Sequence, residues 1–118
     1  MIQTKLDRMG PVVDVLVLMM PGKCPGRAHL VAAVDRYVCG LFEVCAEKRY
    51  DPPQVTWCVD AENNTGYVVM DARLDKETLR KLWPMGRVYG QVYRLHSEKE
   101  KEEINRWMLA RADVEEWR

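Results

Sequence analysis

Residues 11–20 (PVVDVLVLMM) are almost continuously apolar, interrupted once, by Asp14. A Val-rich run of this length predicts a central strand covered on both faces. The Pro and Gly of residues 21–26 (PGKCPG) predict a loop. From residue 27 to residue 49 the period changes. Leu30, Val34, Tyr37, Val38, Leu41, Val44 and Cys45 recur at three- and four-residue steps, which predicts a long helix. Val31 and Phe42 widen its apolar face, and Gly40 marks close packing at the cost of some helix propensity. Asp51-Pro52-Pro53 stops it.

Residues 54–60 (QVTWCVD) alternate, with Val55, Trp57 and Val59 on one side, and residues 67–74 (YVVMDARL) form a second strand-like run. The segment between them, residues 61–66 (AENNTG), is turn chemistry, so the two runs read as a hairpin. Asp75 then suits the N-cap of a short helix, with Leu74 and Leu79 at the two positions of a hydrophobic staple and Leu82 and Trp83 completing its apolar side. Pro84 and Gly86 end that helix. Residues 87–95 (RVYGQVYRL) predict one further strand with Gly90 as a bulge. Ser97 and Glu100 form a capping box for a last helix carrying Ile104, Trp107 and Met108.

The predicted order β-α-β-β-α-β-α has as its first six elements the split β-α-β-β-α-β pattern of ferredoxin-like folds. The expected class is therefore α+β, an antiparallel sheet with an additional C-terminal helix. Residues 1–118 read as one domain, with 1–10 as a flexible lead-in and 113–118 as a frayed end. Two helices on one face leave the other bare, yet the first strand is apolar on both sides. That mismatch calls for the last helix, a second copy of the chain or a partner as a cover.

Composition adds limits. Apolar residues make up 47% and charged residues 31% of the 118, enough to bury a core and stay soluble. The net charge is zero, which argues against a protein built to coat nucleic acid. The first ten residues hold no signal-peptide core, and no apolar run is long enough to span a bilayer. The chain thus reads as cytoplasmic, with no membrane role. Cys24, Cys39, Cys45 and Cys58 are irregularly spaced and form no C-x-x-C pair. They read as reduced thiols, mostly buried, and with only His29 and His96 to assist them they imply neither a zinc site nor any cofactor.

The candidate chemistry is sparse. Gly22, Lys23, Gly26 and Arg27 lie in a strand–loop–helix setting that can hold an anion, although the loop is not a Walker A sequence and the plainer reading is a glycine turn. Cys24 in the same loop has basic neighbours that favour a thiolate, and His29 nearby can act as a base. Asp14 and Asp71 fall on strands that neighbour each other in the expected topology. If their register matched, they would form a cation site, the ordinary alternative being solvated carboxylates at strand ends. Asp60 to Gly66 only brushes against an EF-hand loop.

Arg87, Tyr89, Gln91 and Tyr93 alternate onto one strand face. The run Arg87-Val88-Tyr89-Gly90-Gln91-Val92 partly resembles the RNP1 motif of RNA-recognition domains, which share the expected topology. Val88 and Gln91 depart from that motif, and RNP1 belongs on the third strand rather than the fourth. The resemblance implies bases stacked on Tyr89 and Tyr93 with Arg73, Lys76, Arg80 and Lys81 on phosphates. From Arg73 to Arg94 six basic residues face two acidic ones. The plain counter-reading is tyrosines packed under the last helix beside a solvated basic face.

Three functions are carried forward. The first is a small non-catalytic regulatory module acting through protein contact or self-association, probed at Val12, Leu16, Trp107 and Trp117. The second is single-stranded nucleic-acid binding through the Arg87/Tyr89/Tyr93 strand. The third is a small enzyme using Cys24 or the Asp14–Asp71 pair.

Overall fold

The computed structural model describes residues 13–22, 26–71, 73–83, 86–88, 93–95, 99, 100, 102, 103, 106 and 113–115. They form an α+β structure built on an antiparallel sheet with two helices. In chain order the elements are β1 (Val13–Met19), α1 (Arg27–Glu47), β2 (Val55–Asp60), β3 (Thr65–Asp71), α2 (Lys76–Lys81), β4 (Arg87–Val88), β5 (Tyr93–Leu95) and β6 (Asp113–Glu115).

β1 and β3 lie at the centre of the sheet. β3 pairs on its far side with β2, and β1 pairs on its far side with β4 and β5, so these strands fill four lanes. β6 adds a further antiparallel strand beside β2. The expected single strand over 87–95 is thus two short ones along the same edge of β1. Leu18 is paired with Val88 and Val15 with Tyr93, so the pairing resumes two residues out of step. Gly90, the expected bulge, falls within that interval but outside the described residues.

Register sorts the side chains. Leu16, Val68 and Trp57 form one cross-strand row, and Leu18, Gly66 and Val59 the next, on the side facing the helices. Antiparallel partners share a face. The buried stripe of α1, Leu30, Val34, Tyr37, Val38, Leu41 and Cys45, packs onto them. Two glycines set how closely the layers approach. A methyl on Gly66 would meet Val34 Cγ2 at 2.4 Å, and one on Gly40 would meet Leu82 Cδ2 at 3.4 Å. α1 crosses the sheet at Gly66 and touches the end of α2 at Gly40.

α2 is short, and its attachment is tertiary. Leu74 and Leu79, the staple pair, are both buried in the shared core. The Tyr37 hydroxyl donates to the Leu79 carbonyl at 2.9 Å, and the Tyr37 ring meets Trp83 edge-on at 5.7 Å. Trp83 Nε1 donates to the Met19 carbonyl at 3.1 Å, tying this region to the end of β1. At the N-cap, the Asp75 carboxylate accepts from the Thr78 hydroxyl rather than from a backbone amide.

The opposite side of the sheet is buried as well. Val13, Val15, Cys58, Tyr67 and Val69 alternate with the helix-facing set and are buried too. The continuous apolar reading of β1 thus agrees with burial on both of its faces. Of the last helix, residues 99, 100, 102, 103 and 106 are helical and exposed, whereas its apolar residues lie outside the described set. Asp113–Glu115 pairs with Trp57–Val59 and gives the edge of β2 a hydrogen-bonding neighbour. No described helix is long and apolar enough to cross a membrane.

Candidate functional site

The sequence candidates scatter. Leu16 lies on the helix-facing side of β1 with no exposed surface, so it is core rather than contact surface. Val12, Trp107, Trp117, Lys23, Cys24 and Tyr89 lie outside the described residues. Gly22 and Gly26 have φ of 73° and 139°, backbone that favours glycine, and this satisfies the plain turn reading of that loop. Asn64 Nδ2 holds the same loop by donating to the carbonyls of Met20 and Gly22. Arg27 and His29 are exposed at the start of α1.

The register separates the two aspartates. Asp71 is paired with Val13, and Asp14 with Met70. A one-residue offset puts the two carboxylates on opposite faces of the sheet, which rules out a shared cation. Among the described residues no His, Cys, Asp and Glu cluster can hold a metal. Each aspartate has a local setting. Asp14 is buried on the helix side, with Arg94 as its register neighbour on β5. Asp60 accepts from Asn63 Nδ2 at 2.7 Å within the β2–β3 turn.

The basic candidates also divide. Lys81 pairs with Glu77 at 3.1 Å, both well exposed, a pair of small energetic consequence. Lys76, Arg80 and Arg87 are exposed. Arg87 is paired with Met19 and Tyr93 with Val15. That edge borders the face on which Val13, Val15 and Val69 are buried.

Arg73 leads to a site that the sequence did not reveal. Its Nε donates to Asp71 Oδ2 and its Nη1 to the Asp51 carbonyl. The other oxygen of Asp71 accepts from the Gln54 amide at 3.1 Å, and the Asp71 amide donates to the Gln54 carbonyl. These bonds fasten the Asp51–Gln54 linker against the end of β3. Beside them lies an open depression of about 490 Å³ lined by Arg49, Tyr50, Asp51 and Arg73.

Its shape follows from how α1 ends. The Tyr50 amide donates to the Cys45 carbonyl and the Arg49 amide to the Ala46 carbonyl. This is the Schellman pattern, in which the residue after the C-cap turns left-handed and is usually glycine. Here that residue is Arg49, with φ of 59°. The turn throws Tyr50 outward, where 47% of its surface is exposed. Among the described residues no carboxylate or carbonyl pairs with the Arg49 guanidinium.

Lys48 adds positive charge at this corner. Beneath it, burial pushes the Cys45 thiol above its ordinary value, more strongly than Arg73 and Lys48 pull it down. The thiol is therefore neutral and not a nucleophile. The described lining of the corner suits a ligand with a flat or anionic part. The signal in the sequence was Arg49-Tyr50-Asp51-Pro52-Pro53, where prolines force a long helix to stop with no Gly or Asn at the turn. Compared with known proteins, the chain matches no family model, no curated protein and no solved structure.

Proposed function

We propose that this chain is a non-catalytic binding module whose contact surface is the corner where α1 ends. The observation that carries this reading is Arg49. It is held in left-handed backbone where glycine is usual, its guanidinium pairs with no carboxylate or carbonyl among the described residues, and it adjoins the half-exposed Tyr50. Strained backbone at a non-glycine residue persists where something other than local energy keeps it. Arg and Tyr are residue types that dominate binding energy at interfaces.

Arg73, itself fixed by Asp71 and the Asp51 carbonyl, gives the corner a rigid wall, so little ordering is lost on binding. The fold reading that accompanies this is a ferredoxin-like split β-α-β-β-α-β domain with an added C-terminal helix. The lane order β4/β5, β1, β3, β2 and the helical residues near 100 support it.

The test is comparative capture from the source cells with tagged wild type and a folded Arg49→Gln/Tyr50→Ala variant. A partner held by the wild type and lost by the variant is the expected result. The same partners on both proteins would place the contact elsewhere and end this reading.

A further inference from the structure

We infer that the Arg49–Tyr50–Arg73 depression is a nucleotide-unit site, taking one phosphate and one base either from a single strand or from a free nucleotide. This inference rests on the binding-module reading and names the chemistry of its partner. The lining is the reason. Two guanidiniums, Arg49 and Arg73, lie within one depression, and Arg is the side chain suited to phosphate oxygens. Tyr50 offers an exposed ring beside them, which suits stacking of any base. Asp51, an acidic residue, belongs to the same lining.

A carboxylate would weaken a site for a bare anion, but it suits a ligand that also carries N–H donors, as the edges of adenine, guanine and cytosine do. An acidic protein segment answers the two arginines but leaves Asp51 opposed and gives Tyr50 no flat partner. The open shape suits a chain passing across the site as well as a single unit held in it. Arg73 is positioned beforehand by its bonds to Asp71 and the Asp51 carbonyl, while Arg49 pairs with no carboxylate or carbonyl among the described residues and is exposed to a ligand.

The experiment is a titration of the full chain at low salt, followed by backbone amide resonances and by anisotropy of labelled probes. The probes are cytidine and adenosine monophosphate, a labelled single-stranded DNA of about 12 nucleotides, a length within the span one such surface covers, and a polyglutamate peptide. The expected result is saturable binding that moves the Arg49, Tyr50 and Arg73 amides and weakens as salt rises from about 50 to 200 mM. Arg49→Gln and Tyr50→Ala should each lower affinity roughly tenfold with unchanged circular dichroism. Arg49→Gln leaves the strained backbone in place, so its effect isolates the charge.

Binding of the oligonucleotide alone identifies the source as a single strand, and binding of the monophosphates as well identifies free nucleotide. Binding of polyglutamate without either nucleotide probe overturns this inference and leaves the binding-module reading standing. So does the absence of any nucleotide binding at low salt, and so does nucleotide binding that neither variant weakens.

Discussion

Truncating Arg49 two ways isolates the backbone cost at the end of α1. Arg49→Ala and Arg49→Gly both remove the guanidinium and the long side chain, so charge and solvation nearly cancel between them. What remains is the left-handed backbone. An L-residue there costs about 1–2 kcal/mol. Glycine avoids that cost but has roughly 0.5–1 kcal/mol more unfolded-chain entropy to lose. The net is about 0.5–1 kcal/mol in favour of Gly, the reverse of the order in a helix interior, where Ala wins by about 1 kcal/mol.

For a chain of 118 residues the unfolding entropy near the midpoint is about 250 cal/mol/K, so the Gly variant should melt about 3 °C above the Ala variant. Thermal and urea unfolding by far-UV circular dichroism, with equal urea slopes, is the measurement. Asn64 supplies the internal contrast, with φ of 53° in the β2–β3 turn. Asn tolerates this region, and its Nδ2 bonds to the carbonyls of Met20 and Gly22. Asn64→Gly should therefore lose about 1–2 kcal/mol even though the φ is nearly the same. If Arg49→Ala is as stable as Arg49→Gly, no strain is stored at Arg49, and the reason for singling it out goes with it.

Three further outcomes follow from the packing. Gly66→Ala should destabilise by about 1–3 kcal/mol in urea unfolding, because the new methyl meets Val34, whose β-branched side chain cannot swing aside. An unchanged midpoint would mean that α1 is free to lift from the sheet. Thr56→Val should stabilise by roughly 1 kcal/mol, since the Thr56 hydroxyl is buried with no hydrogen-bond partner among the described residues and Val has its shape without the hydroxyl; a loss of stability would reveal a partner for that oxygen. Burial raises the Tyr37 phenol above its ordinary value of 10.0. The folded state then keeps its proton while the unfolded state releases it, so stability is full below about pH 10 and falls as pH rises beyond it. Tyr37→Phe should be weaker at neutral pH by about 1–2 kcal/mol through the lost bond to Leu79. It should also show a flatter decline above pH 10, whereas parallel declines would assign the alkaline loss to other groups such as Cys45.

The elements that periodicity could see were seen. The stripe Leu30, Val34, Tyr37, Val38, Leu41 and Cys45 is the buried face of α1, and Leu74 and Leu79 staple α2 as their spacing requires. Local pattern carries that information because a helix face is fixed by separations of three and four residues. Register is not local. Asp14 and Asp71 were rightly expected on neighbouring strands, yet a single-residue offset sends them to opposite faces, and no composition or spacing encodes that offset. β6 was missed for a similar reason. Asp113–Glu115 has no strong strand propensity, and its pairing is set by the vacant edge of β2. The depression at Arg49 escaped notice because it is made by a turn, and turns join residues whose chemistry looks ordinary when read one at a time.

The case for the α1 corner rests on what the other polar groups are already doing. Asp60 closes a turn with Asn63, Asn64 holds the loop after β1, and Thr78 meets Asp75 at the start of α2. Tyr37 and Trp83 each spend their one donor on a carbonyl that joins two elements. Asp71 and Arg73 anchor the linker that follows α1. Each of these groups has a structural task that explains its residue type. Arg49 has none among the described residues: glycine would end α1 at lower cost, and no described carboxylate or carbonyl pairs with its guanidinium. The Tyr50 ring beside it, nearly half exposed, adds nothing to the core. Residues that a fold carries at a cost and does not use are explained by something outside the fold, and these two share one depression with a guanidinium already fixed in place.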